Sequence, residues 1–302
     1  MGGEGLAEIA LYSSLLAMPD WLTLNSFDGT EIAYRVGGRG ERWLVVANGY
    51  GGTFCAWDEI FAHLHDEVRT LIWDYRGLHR SAAPADGKRL SIVDNCLDLD
   101  ALTAKLGIER YTLAAWSVGV QVALEQYRRQ RARIEALALV NGAHGRVLDR
   151  SMGGRLGPAL RPLIRAAQAG APLLGVALMP LLSRLGNMPQ VNRLMRSIGA
   201  VGVESGNMRE AMRAFFALDA GRFARMVKLA NEHDTQDLLG HITVPTLVVG
   251  GGRDAITRPA LSRAIARAIP GARYVEIPDA THYGVMEQPA RYAELIRDLL
   301  AA

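Results

Sequence analysis

The sequence predicts an α/β chain: a mostly parallel, eight-stranded sheet flanked by helices, with a helical segment inserted after the sixth strand. Three observations carry this. Strand-like and helix-like patterns alternate over residues 21–141 and again from 240 to 302, and such alternation favours a parallel sheet covered on both faces. The central strand candidates are short continuous apolar runs, as strands buried on both faces require. Between the two alternating sections, residues 142–239 are apolar and helical in pattern, broken by glycines and prolines, with no convincing strand signal.

The elements follow in order. WLTLNS and EIAYRV flank Asp28-Gly29, a strong hairpin-turn signal. RWLVVAN is a buried-strand run that leads into the glycine-rich NGYGG, and a helix is expected from Thr53 to Leu64. VRTLIWD is the next strand and ends in DYRGLHRS. Residues 91–106 have helical spacing, with Ser91 as N-cap and Asp94 at N3. YTLAAW, VGVQVALEQYRRQ and IEALALVN then read as strand, helix and strand. After the insertion come the strand VPTLVVGG, the helix RPALSRAIARAIPG, the strand ARYVEIP, and a last helix opened by Pro289. The expected domains are a core of residues 1–145 and 240–302 and a helical cap of 146–239.

Composition narrows the function classes. Of the 302 residues, 49 % are apolar and 22 % charged, which is ordinary globular usage. No apolar run of about 18 residues is present, so no transmembrane segment is expected. The first twenty residues contain Glu4 and Glu8 but no basic residue, unlike a secretory leader. They are read as a short amphipathic helix packed on the domain, with membrane-surface or dimer contact as alternatives. A homo-oligomer stays open. Cys55 and Cys96 are expected to be free thiols in a cytoplasmic protein. No metal-ligand spacing occurs, so neither metal nor cofactor is expected. Residues 146–228 hold twelve arginines and one lysine against four carboxylates. The plain reading is a set of solvated helix faces; the charge also allows an anionic or lipid-like substrate group. No nucleic-acid recognition motif accompanies it.

In a parallel sheet, ligands bind beyond the carboxyl ends of the strands. Ser117, Asp254 and His282 each follow a strand candidate, and so do Gly49-Tyr50 and His144. A serine hydroxyl is a weak nucleophile that needs a base, and the base needs an orienting carboxylate. In LAAWSVGVQVALE, Ser117 stands at a strand-to-helix junction, with Ala115 two residues before it and Gly119 two after. Small residues there relieve the crowding of a sharp turn. Each residue has a plainer reading too. Ser117 and Asp254 could cap helices, Trp116 could be core, and His144 could lie on a surface loop. Asp74 and Arg76 are expected to form a structural ion pair or to brace their loop, rather than to act as catalytic groups.

Together these segments resemble the α/β-hydrolase fold superfamily, and most closely its capped serine esterase, lipase and haloperoxidase-like relatives. NGYGG stands where the family has its oxyanion loop, DYRGLHRS resembles D-x-R-G-x-G-x-S, and AWSVG fits the nucleophile elbow. GGRDAIT and ATHYGVMEQP fit the acid and histidine loops, and the order Ser, Asp, His is the family order. The resemblance implies that Ser117 is the nucleophile, His282 the base and Asp254 its orienting acid. It places the oxyanion hole at the backbone N–H groups of Tyr50 and Val118. Trp116 and His144 are candidates for the substrate pocket. Three departures stand out: Ala115 for glycine, Asn48 for the loop histidine, and Leu78-His79 for a His-Gly pair. The expected activity is hydrolysis of an ester or similar acyl bond in a small, largely apolar substrate. Acyl transfer, perhydrolysis and lactone opening would use the same machinery. A non-catalytic small-molecule-binding protein is the other class.

Overall fold

The computed structural model describes residues 21–150 and 206–302. Their centre is an eight-stranded sheet ordered β1-β2-β4-β3-β5-β6-β7-β8. The strands are β1 (Leu22–Asn25), β2 (Glu31–Gly38), β3 (Arg42–Ala47), β4 (Val68–Trp73), β5 (Tyr111–Trp116), β6 (Ile134–Val140), β7 (Thr246–Gly251) and β8 (Arg273–Ile277). β2 pairs antiparallel with β1 and β4, and every other pairing is parallel. The eight expected strands are all present.

Strand pleating divides the core into two. Val45 and Ala47 of β3, Leu113 and Ala115 of β5, and Leu137 and Leu139 of β6 face one apolar cluster. Their neighbours Leu44, Val46, Ala114, Trp116, Ala138 and Val140 face the other. This alternation is what continuous apolar runs encode when both sheet faces are covered. One face carries α2 (Ile92–Lys105) and α3 (Gly119–Gln130), the other α1 (Asp58–Leu64) and, near the carboxyl terminus, helix Pro289–Leu300.

Local signals explain the boundaries. The β1–β2 turn closes through Gly29 at φ 82°, with Gly29 N–H donating to the Ser26 carbonyl. At α2 the Ser91 hydroxyl accepts from Asp94 N–H while the Asp94 carboxylate takes Ser91 N–H, a complete capping box. The helix expected from Thr53 is split into a 3-10 turn, Phe54–Ala56, and α1. Thr53 does not cap it; its hydroxyl bonds to Asp74 and its carbonyl accepts from Asn48. Cys55 and Cys96 are buried free thiols.

Asp74 and Arg76 do not pair with each other; they brace their loop through two separate sets of bonds. Asp74 takes Arg80 and Thr53, whereas Arg76 takes Asp98 and Asp28. Burial pushes the Asp28 carboxyl up, but hydrogen bonds from Arg76 and Thr30 outweigh it and hold the group at about 2. A folded pKa below the unfolded value means stabilisation that is full above about pH 4 and lost as pH falls toward about 2. Asp28→Asn is therefore expected to flatten the stability curve across that window, as read by urea unfolding at several acidic pH values.

Between β6 and β7 the described residues form the helices Val147–Arg150, Gly206–Phe216 and Ala220–Glu232. The two stems of this insertion are joined. Gly145 and Asp234 form an antiparallel bridge, Arg146 N–H donates to the His233 carbonyl, and Thr235 N–H donates to the His144 carbonyl. The expected N-terminal helix, and residues 151–205 of the expected cap, lie outside the described residues. No helix among the described residues is long and apolar enough to cross a membrane.

Candidate active site

Ser117 follows β5 directly and has φ 59°, a left-handed conformation for a residue with a Cβ. Such a backbone costs on the order of 1–3 kcal/mol and is held only where its surroundings fix it. Here Ser117 N–H donates to the Val140 carbonyl at 2.9 Å, tying the turn to β6. The residue capping α3 is Val118, without a side-chain cap bond. The Ser117 hydroxyl is turned instead toward His282 Nε2, 2.9 Å away. The turn needs Gly119, because a Cβ there would lie 2.0 Å from the Ala47 carbonyl oxygen of β3. Gly119→Ala is expected to destabilise the fold by about 1–3 kcal/mol and to lower activity with it. Thermal melts and steady-state kinetics check this together.

His282 and Asp254 arrive from the loops after β8 and β7. His282 Nδ1 lies 2.9 Å from Asp254 Oδ2, and both side chains are buried. A carboxylate only accepts, so Nδ1 carries the proton and Nε2 is free to accept from the Ser117 hydroxyl. Asp254 Oδ1 accepts the N–H groups of Ile256 and Thr257, each at 2.8 Å. One oxygen thus shapes its own turn while the other faces the histidine; the helix that follows, Pro259–Ala268, is capped at Arg258 and takes no bond from Asp254.

The histidine loop is clamped from below. Trp116 Nε1–H donates to the His282 carbonyl at 2.8 Å, and its indole is 2 % exposed. Asn141, just past β6 with φ 45°, donates from Nδ2 to the Thr281 and His282 carbonyls and accepts Gly251 N–H on Oδ1. Thr257 Oγ1 lies 2.7 Å from the Asn141 carbonyl, 2.8 Å from Asp254 Oδ2 and 3.1 Å from His282 Nδ1. Asn141 and Thr257 were legible only in outline. Asn141 ends the strand candidate IEALALVN, and Thr257 stands at the Asp-x-x-Thr spacing at which a side chain bonds a nearby backbone.

Asn48 supplies the bonds that the loop requires. Its Nδ2 donates to the Thr53 carbonyl, its Oδ1 accepts Gly49 N–H, and its carbonyl accepts the Tyr75 hydroxyl. Tyr50 and Val118 flank the Ser117 turn, and neither N–H donates to an acceptor among the described residues. A Cβ at Gly49 would sit 3.1 Å from Ser117 Cβ, so the loop passes directly against the serine. Phe215, from helix Gly206–Phe216, lies over Gly51 and stacks edgewise with Phe216 and Phe223. His79, which stands where the family pair has glycine, adopts a left-handed backbone at φ 49°. Burial and the neighbouring Arg80 push its imidazole down to about 4, which leaves it neutral near pH 7.

His144 is placed at the insertion's stem. Its ring contacts Asp234 and Arg150, and Arg150 also reaches Asp234. Among the described residues, the polar partners of its ring all belong to the stem.

The family model described as the alpha/beta hydrolase fold matches residues 42–289. The chain belongs to that family. Among solved structures it is similar to the enol-lactonase of Burkholderia xenovorans LB400, with a TM-score of 0.73 and 26 % identity over 93 % of this chain and 100 % of that one. The esterase EaEST of Exiguobacterium antarcticum shares the fold at TM-score 0.75 and 18 % identity, over 93 % of this chain and 99 % of that one. A stretch of 49 residues is 47 % identical to BpoC of Mycobacterium tuberculosis, named as a non-heme bromoperoxidase; it spans 16 % of this chain and 19 % of that protein. The pimeloyl-[acyl-carrier protein] methyl ester esterase of Neisseria meningitidis is 26 % identical over 67 % of this chain and 60 % of its own length.

Proposed function

We propose that the chain is a serine hydrolase that cleaves an ester or similar acyl bond of a small, largely apolar substrate. The observation that carries the reading is the unbroken hydrogen-bond path from Ser117 Oγ through the His282 ring to Asp254, at 2.9 Å on each side. The names of its relatives, an enol-lactonase and a methyl ester esterase, support the reaction class.

In this mechanism His282 Nε2 removes the Ser117 proton as Oγ attacks the acyl carbon. The imidazolium is stabilised by Asp254. The carbonyl oxygen becomes an oxyanion and is received by the N–H groups of Tyr50 and Val118, each worth about 3–4 kcal/mol. His282 passes its proton to the leaving oxygen, which leaves an acyl-Ser117. Water, activated by His282, attacks that ester and releases the acid. Residues 146–239 act as a cap, and Phe215 beside the oxyanion loop offers an apolar wall. The basic cap also admits an anionic group on the substrate.

A panel of p-nitrophenyl esters and lactones, with a fluorophosphonate probe, tests the proposal. Turnover and a single probe adduct on Ser117 are expected. Folded protein that gives no Ser117 adduct overturns the reading and favours a non-catalytic binding protein. Adding an alcohol or peroxide as competing acceptor reports any acyl transfer from the same intermediate.

A further inference from the structure

Beyond the three residues of the path, the polar groups beneath His282 form one connected set. We infer that Thr257 is a positioning residue of this site: anchored on Asn141, its hydroxyl holds the His282 ring in the tautomer and orientation that keep Nε2 open to Ser117. The inference rests on the serine-hydrolase reading and adds a residue to it.

The argument begins with proton counting. Thr257 Oγ1 has one hydrogen and two lone pairs. Two of its three neighbours, the Asn141 carbonyl and Asp254 Oδ2, can only accept. The hydroxyl proton is therefore committed to that side. The third neighbour, His282 Nδ1, stands 3.1 Å from the same oxygen, on the side left to its lone pairs. Nδ1–H is thus shared between Asp254 Oδ2 and Thr257 Oγ1. A protonated Nδ1 has two acceptors within reach, whereas an unprotonated one would set its lone pair against the Asp254 carboxylate and could be met by Thr257 only at the cost of the hydroxyl's bond to the Asn141 carbonyl. The bond made by one ring nitrogen sets the role of the other, so the Thr257 hydroxyl biases Nε2 toward accepting.

Geometry is fixed from two sides. The Thr257 backbone is held by its N–H on Asp254 Oδ1, and its side chain by the hydroxyl on the Asn141 carbonyl. Asn141 is fully buried and its left-handed backbone aims that carbonyl. The Asn141 amide meanwhile grips the carbonyls of Thr281 and His282. A single residue therefore sets both the backbone that presents the imidazole and the hydroxyl that meets its Nδ1. Thr257 itself is 4 % exposed, so solvent does not substitute readily for its hydroxyl.

Thr257→Val keeps the shape and removes the hydroxyl; Thr257→Ser keeps the hydroxyl and removes a methyl. Both are compared with wild type in turnover of the best p-nitrophenyl ester and in the rate of fluorophosphonate labelling. Misplacing a catalytic group by a fraction of an ångström is expected to lower kcat about 10- to 100-fold. For Thr257→Val the expected result is that loss, with KM within about twofold and Ser117 labelling slowed in parallel. Thr257→Ser is expected to restore most of the rate. Should Thr257→Val fail to fold by circular dichroism, Thr257→Ala carries the same comparison. A folded hydroxyl-less variant with wild-type kcat overturns the inference while the serine-hydrolase reading stands. A wild-type protein without turnover or Ser117 adduct overturns the parent reading instead.

Discussion

Ser117→Ala is expected to remove at least three orders of magnitude of kcat on the best ester substrate while leaving the melting temperature nearly unchanged. On the proposed mechanism, loss of Ser117 removes most of what the three residues contribute together, because His282 and Asp254 then have no nucleophile to serve. The residual rate reports the oxyanion donors and binding alone. The fold should tolerate the change well. Ser117 Oγ makes no cap bond to α3, and its partner is His282 Nε2 at the mouth of the site. Alanine keeps the Cβ that the φ 59° turn already accommodates. Kinetics on the p-nitrophenyl panel, with mass spectrometry of the probe-treated variant, give both readouts. A variant that retains full rate and still acquires the probe elsewhere would remove Ser117 from the mechanism.

Arg76→Ala carries the largest expected effect on stability. Arg76 is fully buried, and all its guanidinium N–H groups have acceptors. Nε and Nη2 form a fork on Asp98 at 2.8 and 2.6 Å, Nη1 and Nη2 reach Asp28, and Nη1 also reaches the Arg89 carbonyl. Phe27 covers the guanidinium at 4.6 Å. One side chain thus ties the β1–β2 turn, the loop after β4 and α2 together. Its removal leaves the Asp98 carboxylate buried without its counter-charge, a change that costs about 3–5 kcal/mol. At this chain length that is roughly a 10 °C fall in Tm. The double variant Arg76→Met with Asp98→Leu should recover part of the loss, since it abandons both charges rather than one. Calorimetry of the single and double variants separates the two contributions.

Much of this architecture was legible because the strands announce themselves. RWLVVA, VRTLIW, YTLAAW and IEALALV are apolar on both faces, and each became a strand within a residue or so of its expected ends. Ser91 and Asp94 gave a capping box that the structure closes on both sides. The convergence of Ser117, Asp254 and His282 was legible from chain order and strand ends. Other features were not. Asp74 and Arg76 brace their loop but do not form an ion pair with each other: sequence proximity suggests that partner, whereas the fold brings Asp28 and Asp98 to Arg76 from distant parts of the chain. Thr257 and Asn141 bear no charge, and the Asp-x-x-Thr spacing points only to a local bond. Their significance comes from meeting across 116 residues, and only the register of β6 beside β7 brings that about.

The joined stems near Gly145 and Asp234 have a further consequence. A segment whose two ends are already fastened side by side behaves as a closed loop. The entropy of closing such a loop grows only slowly with its length. Residues can be gained, lost or exchanged between those fasteners while the sheet and the loops that hold Ser117, Asp254 and His282 keep their register. On the proposed reading of this insertion as a cap, the residues that hold the acyl chemistry and those that would select the substrate are separable parts. Substrate preference could then drift by rewriting the insertion, without reinventing the residues beyond the strand ends.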